Sequence, residues 1–527
     1  MPDPGARASF DLRQALKDAA STGTTLAVHA RLAPERLAVR SAFGQRSYGE
    51  LNARCNRLAR ALRARGLRPG DAIALLCSNR VEFAEVLYAG MRSGLRVTPI
   101  NHHLTGPELA YVVENCEARV FFADARYAEA AGEAAAELRG LDHRVAIAGD
   151  VADFEPYEEA FAASASHDLE DPVLGSTMLY TSGTTGRPKG VYRRATPPAR
   201  LGAPVLKAAA INPDQDCALC TGPLYHAAPL AFNLAVPLQT GLSVHLMDRF
   251  DAEETLRLVE KHRISHTHMV PTMFHRLLAL PPEVRAGYDI SSLRFVLHGA
   301  APCPVHVKRE LIEWLGPVVY EYYAATEGGG TFIGSEEWMR KPGSVGRPVQ
   351  GESLVVLSEE GEPLPPEAVG TVYIRAPEVG RFEYFKAREK TDGAYRGDLF
   401  TMGDLGYFDR DGYLFLTGRS AELIISGGVN IYPAEVDAIL LMHRAVADAA
   451  TIGIPDEEWG ESVKTVVALR EGAEPSTELA EALRLHCREH LAHYKCPRTI
   501  DFSSDLPRSA AGKIQRHKVR ARYLQPS

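Results

Sequence analysis

Between Ser47 and Ala123 the chain alternates amphipathic helical stretches with short apolar runs, and this alternation restricts the fold more than any other feature. Ser47 and Glu50 stand three residues apart before an apolar-periodic stretch, the signature of a capping box. Leu51, Leu58 and Leu62 mark one face of the helix that follows, which stops at Gly66. After the Arg68-Pro69-Gly70-Asp71 turn, the run Ala72–Cys77 predicts a buried strand. A helix over Val81–Arg92, a strand over Arg96–Ile100, a helix over Gly106–Cys116 and a strand over Val120–Ala123 come next. Strands separated by helices of this length lie parallel, in a sheet covered on both faces. The alternation resumes with strands expected at Thr177–Tyr180, Ser243–Met247, His266–Met269, Leu293–His298 and Val318–Tyr322.

From Val345 to Leu416 the pattern changes to short strands divided by Gly, Pro and Asp, which reads as antiparallel hairpins. Past Gly418-Arg419 a strand over Glu422–Ile425, a Gly427-Gly428 turn and a helix entered at Pro433 open a last α+β unit. The expected fold class is α/β. A large domain over residues 1–417 combines stacked, mostly parallel sheets and helices with a β-barrel-like part, and a small α+β domain occupies residues 418–527.

Several function classes drop out. A net charge of −8, from 59 basic and 67 acidic residues, lacks the basic excess of a nucleic-acid binder. No apolar stretch reaches the ~20 residues of a membrane helix. Met1-Pro2-Asp3-Pro4-Gly5 does not begin a secretory signal, so a cytoplasmic protein is expected. Of eight cysteines only Cys217 and Cys220 form a C-x-x-C pair, and their apolar setting predicts two reduced, buried thiols. His262, His266, His268 and His275 straddle a predicted helix, strand and helix without acidic partners, which argues against zinc.

The loop Thr181-Ser182-Gly183-Thr184-Thr185-Gly186-Arg187-Pro188-Lys189-Gly190 follows a strand. Its glycines, hydroxyls and lysine can wrap N–H groups and a cation around phosphate oxygens, although the Walker spacing is absent. With this loop the chain resembles the acyl-adenylate-forming enzymes, and among them the acyl-CoA synthetases, from about residue 25 to 520. Pro223-Leu224-Tyr225-His226 looks like the family's substrate-gating segment. His298-Gly299-Ala300-Ala301-Pro302 and Tyr323-Ala324-Ala325-Thr326-Glu327 look like the two walls of its adenine site. Met402-Gly403-Asp404 and Gly418-Arg419 match the ribose-binding positions. Gly427-Gly428 and Leu506-Pro507-Arg508-Ser509-Ala510-Ala511-Gly512-Lys513 match a small, mobile C-terminal domain.

The resemblance implies a chemistry in two steps. A carboxylate attacks the α-phosphate of ATP, and the thiol of coenzyme A then attacks the acyl-adenylate. The first step brings an anion onto a polyanion, so cations and aimed N–H groups must offset the repulsion. By resemblance, Thr181, Ser182, Gly183, Thr184, Thr185, Gly186 and Lys189 hold the β- and γ-phosphates, and Thr326 contacts the α-phosphate. Glu327, with Thr184, holds Mg²⁺, a hard cation that takes oxygen ligands. Lys513 bridges carboxylate and α-phosphate, while Asp404 and Arg419 receive the ribose. Gly299, Ala300, Ala301, Tyr322 and Tyr323 enclose adenine, Tyr323 by stacking, and Glu321 meets its exocyclic amine. Gly427 and Gly428 line the thiol tunnel.

One departure bears on mechanism. The family usually places Lys or Asp at the hinge of its small domain, and here the residue is Ala421. Without a polar side chain to exchange partners at the pivot, one half-reaction is expected to outrun the other. Ala324, Val429 and Ala511 also depart from the family's usual Gly, Glu and Ser or Thr. For the acid, Leu224–Pro237 holds no acidic residue to meet a substrate ammonium, which argues against α-amino acids. His226, as an aromatic lid, and Ala227, Ala228, Ala231, Gly328 and Gly329, as sources of volume, point to a bulky or long apolar acid. Transfer to a carrier-protein thiol, and a silent ligand-binding relative, remain open alternatives. The implied partners are the acid, ATP and coenzyme A, and the sequence is compatible with a homodimer.

Overall fold

The early helices and strands appear close to their expected bounds in a computed structural model. It describes residues 11–181, 188–194, 203–351, 353–426, 429–456, 458–508 and 513–524. Helix α1 (Tyr48–Ala64) opens with the capping box: Ser47 Oγ accepts from the Glu50 amide at 3.2 Å, and the Ser47 amide donates back to the Glu50 carboxylate at 2.7 Å. Strand β1 (Ala72–Leu76), helix α2 (Val81–Met91), strand β2 (Arg96–Pro99), helix α3 (Gly106–Asn115) and strand β3 (Ala118–Asp124) follow.

The chain gathers into two compact units. One holds Met1–Met269, Leu280–Val296 and Pro377–Asp392, and the other Val270–Ala279, Leu297–Ala376 and Gly393–Ser527. In the first unit, β1, β2 and β3 are neighbours in a six-stranded sheet whose pairings are all parallel. Successive residues of these strands enter different cores: Ile73, Leu75 and Phe122 join one, Ala74, Leu76 and Phe121 the other. Each buried Phe contributes roughly 1.5–3 kcal/mol, so neither face tolerates solvent. Cys217–Cys220 lies between Ser243–Leu246 and His266–Met269 in a further parallel set. Both thiols are free, and burial pushes each up to about 12. A small antiparallel sheet joins β4 (Leu179–Thr181), β5 (Lys189–Arg193) and Phe382–Tyr384.

In the second unit, helix α4 (Val305–Leu315) leads into β6 (Val319–Ala325), which pairs antiparallel with β7 (Gly328–Gly334). The triple glycine suggests a turn, yet it lies inside β7, and the chain reverses over Thr326 and Glu327. Ser344–Pro348 pairs with β7 and continues an antiparallel sheet through β8 (Leu399–Phe408) and β9 (Leu414–Arg419) to Gly370–Arg375 and Leu354–Leu357.

The C-terminal stretch builds its own sheet from β10 (Ile424–Ser426), Val429–Ile431, β11 (Val446–Asp456), β12 (Gly460–Leu469) and Thr499–Phe502. Helix α5 (Pro433–Leu440), which does start at Pro433, and α6 (Thr477–His490) cover it. Ile424, Val436, Leu440, Val463, Leu483 and Cys487 share its core.

Candidate active site

The tip of the β6–β7 hairpin carries Thr326 and Glu327. Valine and tyrosines favour a half-buried strand, and side chains alternate across it, so Val319, Glu321 and Tyr323 point to the buried side. A register shift between Tyr323 and Ala325 bends the strand just before the turn, as bulges beside functional sites often do. Tyr323 donates its hydroxyl to Asp404 Oδ2 at 2.8 Å, and Arg419 Nε donates to Asp404 Oδ1 at 2.9 Å. Asp404 and Arg419 face each other in the β8–β9 register, which fixes the second bond. Burial, with the Asp404 charge, raises the Tyr323 pKa. Desolvation works against the Arg419 charge, but Asp404 and Glu422 outweigh it and its pKa rises.

Lys513 belongs to the same group. Solvent reaches its side chain, yet the protein around it desolvates the ammonium and, with Arg419, lowers its pKa; Asp404, Glu327 and Glu422 oppose that shift.

The other wall rests on close approach and strain. A Cβ on Gly299 would sit 2.6 Å from the Tyr322 carbonyl oxygen and 2.7 Å from its ring, so only glycine fits. Ala300 takes φ +67°, a left-handed conformation that costs an L-residue roughly 1–2 kcal/mol. Such outliers concentrate at functional sites. Ala301, the next residue, is half-buried.

Two expected residues meet neighbours the sequence reading did not name. Glu321, expected to meet adenine's exocyclic amine, is buried and pairs with Lys308, whose Nζ lies 2.5 Å from Glu321 Oε2, with His298 Nε2 3.7 Å away. Lys308 also lies 4.7 Å from the centre of the Trp338 ring. Gly329, expected to leave open volume, has Ile374 where a side chain would go: its Cδ1 is 2.5 Å from an added Cβ, so the space is already filled. Gly328 is likewise a strand residue at the hairpin end. The Lys308 partnership had a signal in the sequence, since a lysine shares the apolar stripe of Val307, Leu311 and Ile312.

Ala421 is exposed in a single turn over Ser420–Glu422. Ser420 Oγ donates to the Gly403 carbonyl at 3.2 Å on one side of it. On the other, Arg516 donates to Glu422 at 3.0 Å and pairs with Asp437. No motif announces the Arg516 contacts.

In the first unit, β4 and β5 flank the phosphate-type loop, with Thr181 opposite Lys189 in register. The Lys189 ammonium lies 5.2 Å from the centre of the Tyr384 ring. Ser182, Gly183, Thr184, Thr185 and Gly186 lie outside the described residues, as do Gly427, Gly428 and Ala511. The gating segment is anchored by Asn79, which donates to the Gly222 and Met247 carbonyls at 2.9 and 2.8 Å and accepts from the Leu224 amide at 3.0 Å. His226 packs on Tyr225, their ring centres 4.4 Å apart, and His102 meets Tyr225 edge-on at 5.0 Å while stacking on Tyr127. Burial, then His103, lowers the His102 pKa to about 4. Ala227 packs half-buried against the core. A π-helix over Pro229–Ala235 follows, a widened turn common at functional sites. Asn233 holds it to His268 through bonds of 3.0 and 2.7 Å. His266 is used in bonds to Ala209 and Ser265.

A family model described as "AMP-binding enzyme" matches residues 26–382, and one described as "AMP-binding enzyme C-terminal domain" matches residues 435–513. The 2-succinylbenzoate–CoA ligase of Geobacillus kaustophilus is 34% identical over 495 residues, 93% of this chain and 95% of that protein. The indoleacetate–CoA ligase of Aromatoleum aromaticum is 32% identical, covering 93% of this chain and 96% of the relative. Among solved structures, the anthranilate CoA ligase AuaEII in complex with anthranoyl-AMP superposes with a TM-score of 0.82 at 26% identity, covering 95% of this chain and 97% of the other. Among the described residues, no helix is long and apolar enough to cross a membrane.

Proposed function

Because the chain belongs to the AMP-binding enzyme family and is an ATP-dependent, AMP-forming acid–thiol ligase, we propose that it primes a bulky apolar acid, aromatic in character, and passes the acyl group to coenzyme A. The observation that carries the reading is the grouping of Tyr323, Asp404, Arg419 and Lys513. Asp404, held by Tyr323 and Arg419, presents an oriented carboxylate suited to a ribose diol. Gly299 and the strained Ala300 bring backbone close to Tyr322, a fit for a flat base. Lys513 would carry its proton on Nζ and offset charge where the acid's oxygen attacks the α-phosphorus and pyrophosphate leaves. The thiol sulfur then attacks the acyl carbon and AMP departs.

Thr326 and Glu327 put a hydroxyl and a carboxylate at one turn, a donor set of hard oxygens that fits Mg²⁺. Glu327, with Thr184, would hold that ion, which supplies charge neutralisation to the phosphates when bound. Gly427 and Gly428 would face the thiol once residues 418–527 rotate about Ala421.

Support for the acid comes from the rings of Tyr225 and His226, the absence of acidic residues across Leu224–Pro237, and the aromatic acids named in the relatives above. With Gly329 filled by Ile374, the volume argument rests on Ala227, Ala228 and Ala231. The test is a panel of acetate, malonate, benzoates, indole acids and long-chain acids with coenzyme A as sole thiol, reading AMP and thioester together. Aromatic acids should give the highest kcat/KM. Preference for acetate or malonate would remove the substrate reading, and AMP release without thioester would remove coenzyme A as acceptor.

A further inference from the structure

In the C-terminal stretch, the last turn of α6 reads His486-Cys487-Arg488-Glu489-His490. Residues spaced by three and four positions share one helix face. One donor atom from each of His486, Glu489 and His490 lies within 4.8 Å of the other two, with His486 half-buried and its partners exposed. Cys487 turns the other way, into the core.

Both imidazoles are already oriented. His486 Nε2 lies 3.0 Å from the Ile439 carbonyl, and His490 Nδ1 lies 2.9 Å from the His486 carbonyl. A carbonyl only accepts, so each of those nitrogens carries the proton and the other ring nitrogen keeps its lone pair. Outer hydrogen bonds of this kind fix tautomer and ring direction in histidines that ligate metals. His443 has the opposite arrangement: its Nδ1 accepts from the Ala445 amide at 3.3 Å, so its ring, 5.4 Å edge-on from His486, is a wall and not a ligand. The negative end of the α6 dipole adds attraction for a cation at this turn.

We propose that His486, Glu489 and His490 form a binding site for a divalent transition cation of the Zn²⁺ class, separate from any Mg²⁺ held at Glu327. Two imidazoles and one carboxylate suit Zn²⁺, Co²⁺ or Ni²⁺, whereas Mg²⁺ and Ca²⁺ favour all-oxygen sets. The bound ion closes the end of α6 while His486 stays tied to Ile439 in α5, and so reinforces the contact between the two helices.

The full chain, freed of metal by chelation, is titrated with Co²⁺ as an optical probe and then with Zn²⁺ in competition. One equivalent of Co²⁺ should develop visible absorption that Zn²⁺ displaces and millimolar Mg²⁺ does not. Glu489→Gln and His490→Gln, both exposed and checked for native circular dichroism, should weaken Zn²⁺ by about tenfold or more. His493→Gln, an exposed neighbour outside the triad, should leave the affinity unchanged. Absence of saturable binding in the native chain, displacement by Mg²⁺, or unchanged affinity in both triad variants overturns the proposal.

Discussion

Replacing Lys308 with Met separates the structural and ligand-binding roles of Glu321. Both side chains are buried, with Nζ and Oε2 2.5 Å apart. Removing one partner strands the other charge, and breaking a buried pair this way costs about 3–5 kcal/mol. Met matches the lysine stem in length, so the cavity contribution stays small and the loss reports the orphaned carboxylate. Burial raises the Glu321 pKa and Lys308 holds it back. Without Lys308 the folded-state pKa climbs further above the unfolded one. A carboxyl shifted upward binds more protons folded than unfolded, so stability falls as pH rises from the unfolded pKa through the folded one. The variant should therefore regain stability as pH is lowered towards the ordinary carboxylate pKa.

Trp338, 4.7 Å from Lys308 Nζ, offers a fluorescence signal for urea unfolding. The double variant Lys308→Met, Glu321→Leu, with no charge left to strand, should recover to within about 1 kcal/mol of the native chain. A double variant no better than the single one would refute the orphaned-charge account, as would a single variant losing less than about 1 kcal/mol. Were Glu321 instead an adenine ligand, the double variant would fold well and fail to saturate with ATP. Native-like KM for ATP in the double variant is the expected result.

Asp404→Ala removes the carboxylate that Tyr323 and Arg419 orient, and a ribose hydroxyl's bond to such a charged group is worth about 1.5–3 kcal/mol. KM for ATP should rise tenfold to a hundredfold by that arithmetic, and a change confined to kcat would contradict a ribose-holding role. Ala300→Gly relaxes the φ +67° residue and should raise thermal stability by about 1 kcal/mol; a drop would mean that the Ala300 methyl packs more strongly than its backbone strains. At the hinge, pyrophosphate exchange and thioester formation from supplied acyl-adenylate should differ in rate in the native chain, and Ala421→Lys should narrow the gap. Equal native rates would remove the significance given to Ala421.

Elements set by local pattern were legible. The strands around Ile73 and Phe122 have the apolar run length of a sheet buried on both faces, and Ser47 with Glu50 announces a helix start in four residues. The β6–β7 hairpin was not, because Gly328-Gly329-Gly330 carries the stronger turn composition while the reversal falls on Thr326-Glu327, two residues with no turn preference of their own. At Gly329 packing joins a left-handed φ of +94° in requiring glycine, since Ile374 leaves no room for a side chain. Composition reports what a backbone permits, and a neighbour from elsewhere in the chain decides which permission is used.

The Lys308–Glu321 pair shows how such a neighbour can still be inferred. The alternation along Val319–Tyr323 puts Glu321 on the same side as two buried residues, and helical spacing puts Lys308 among Val307, Leu311 and Ile312. Each charge taken alone looks like an error in an apolar face. A buried charge is too costly to leave unpaired, so two opposite charges on the apolar faces of consecutive elements solve each other's problem. Family resemblance pulled Glu321 toward the nucleotide because it stands two residues before Tyr323, but strand periodicity gives the two residues one face and burial decides their partners separately. Tyr323 reaches Asp404 near the hairpin's turn, whereas Glu321, one strand repeat farther from it, lies against α4. The distance of a residue from a motif therefore says less about its role than the depth at which its strand holds it.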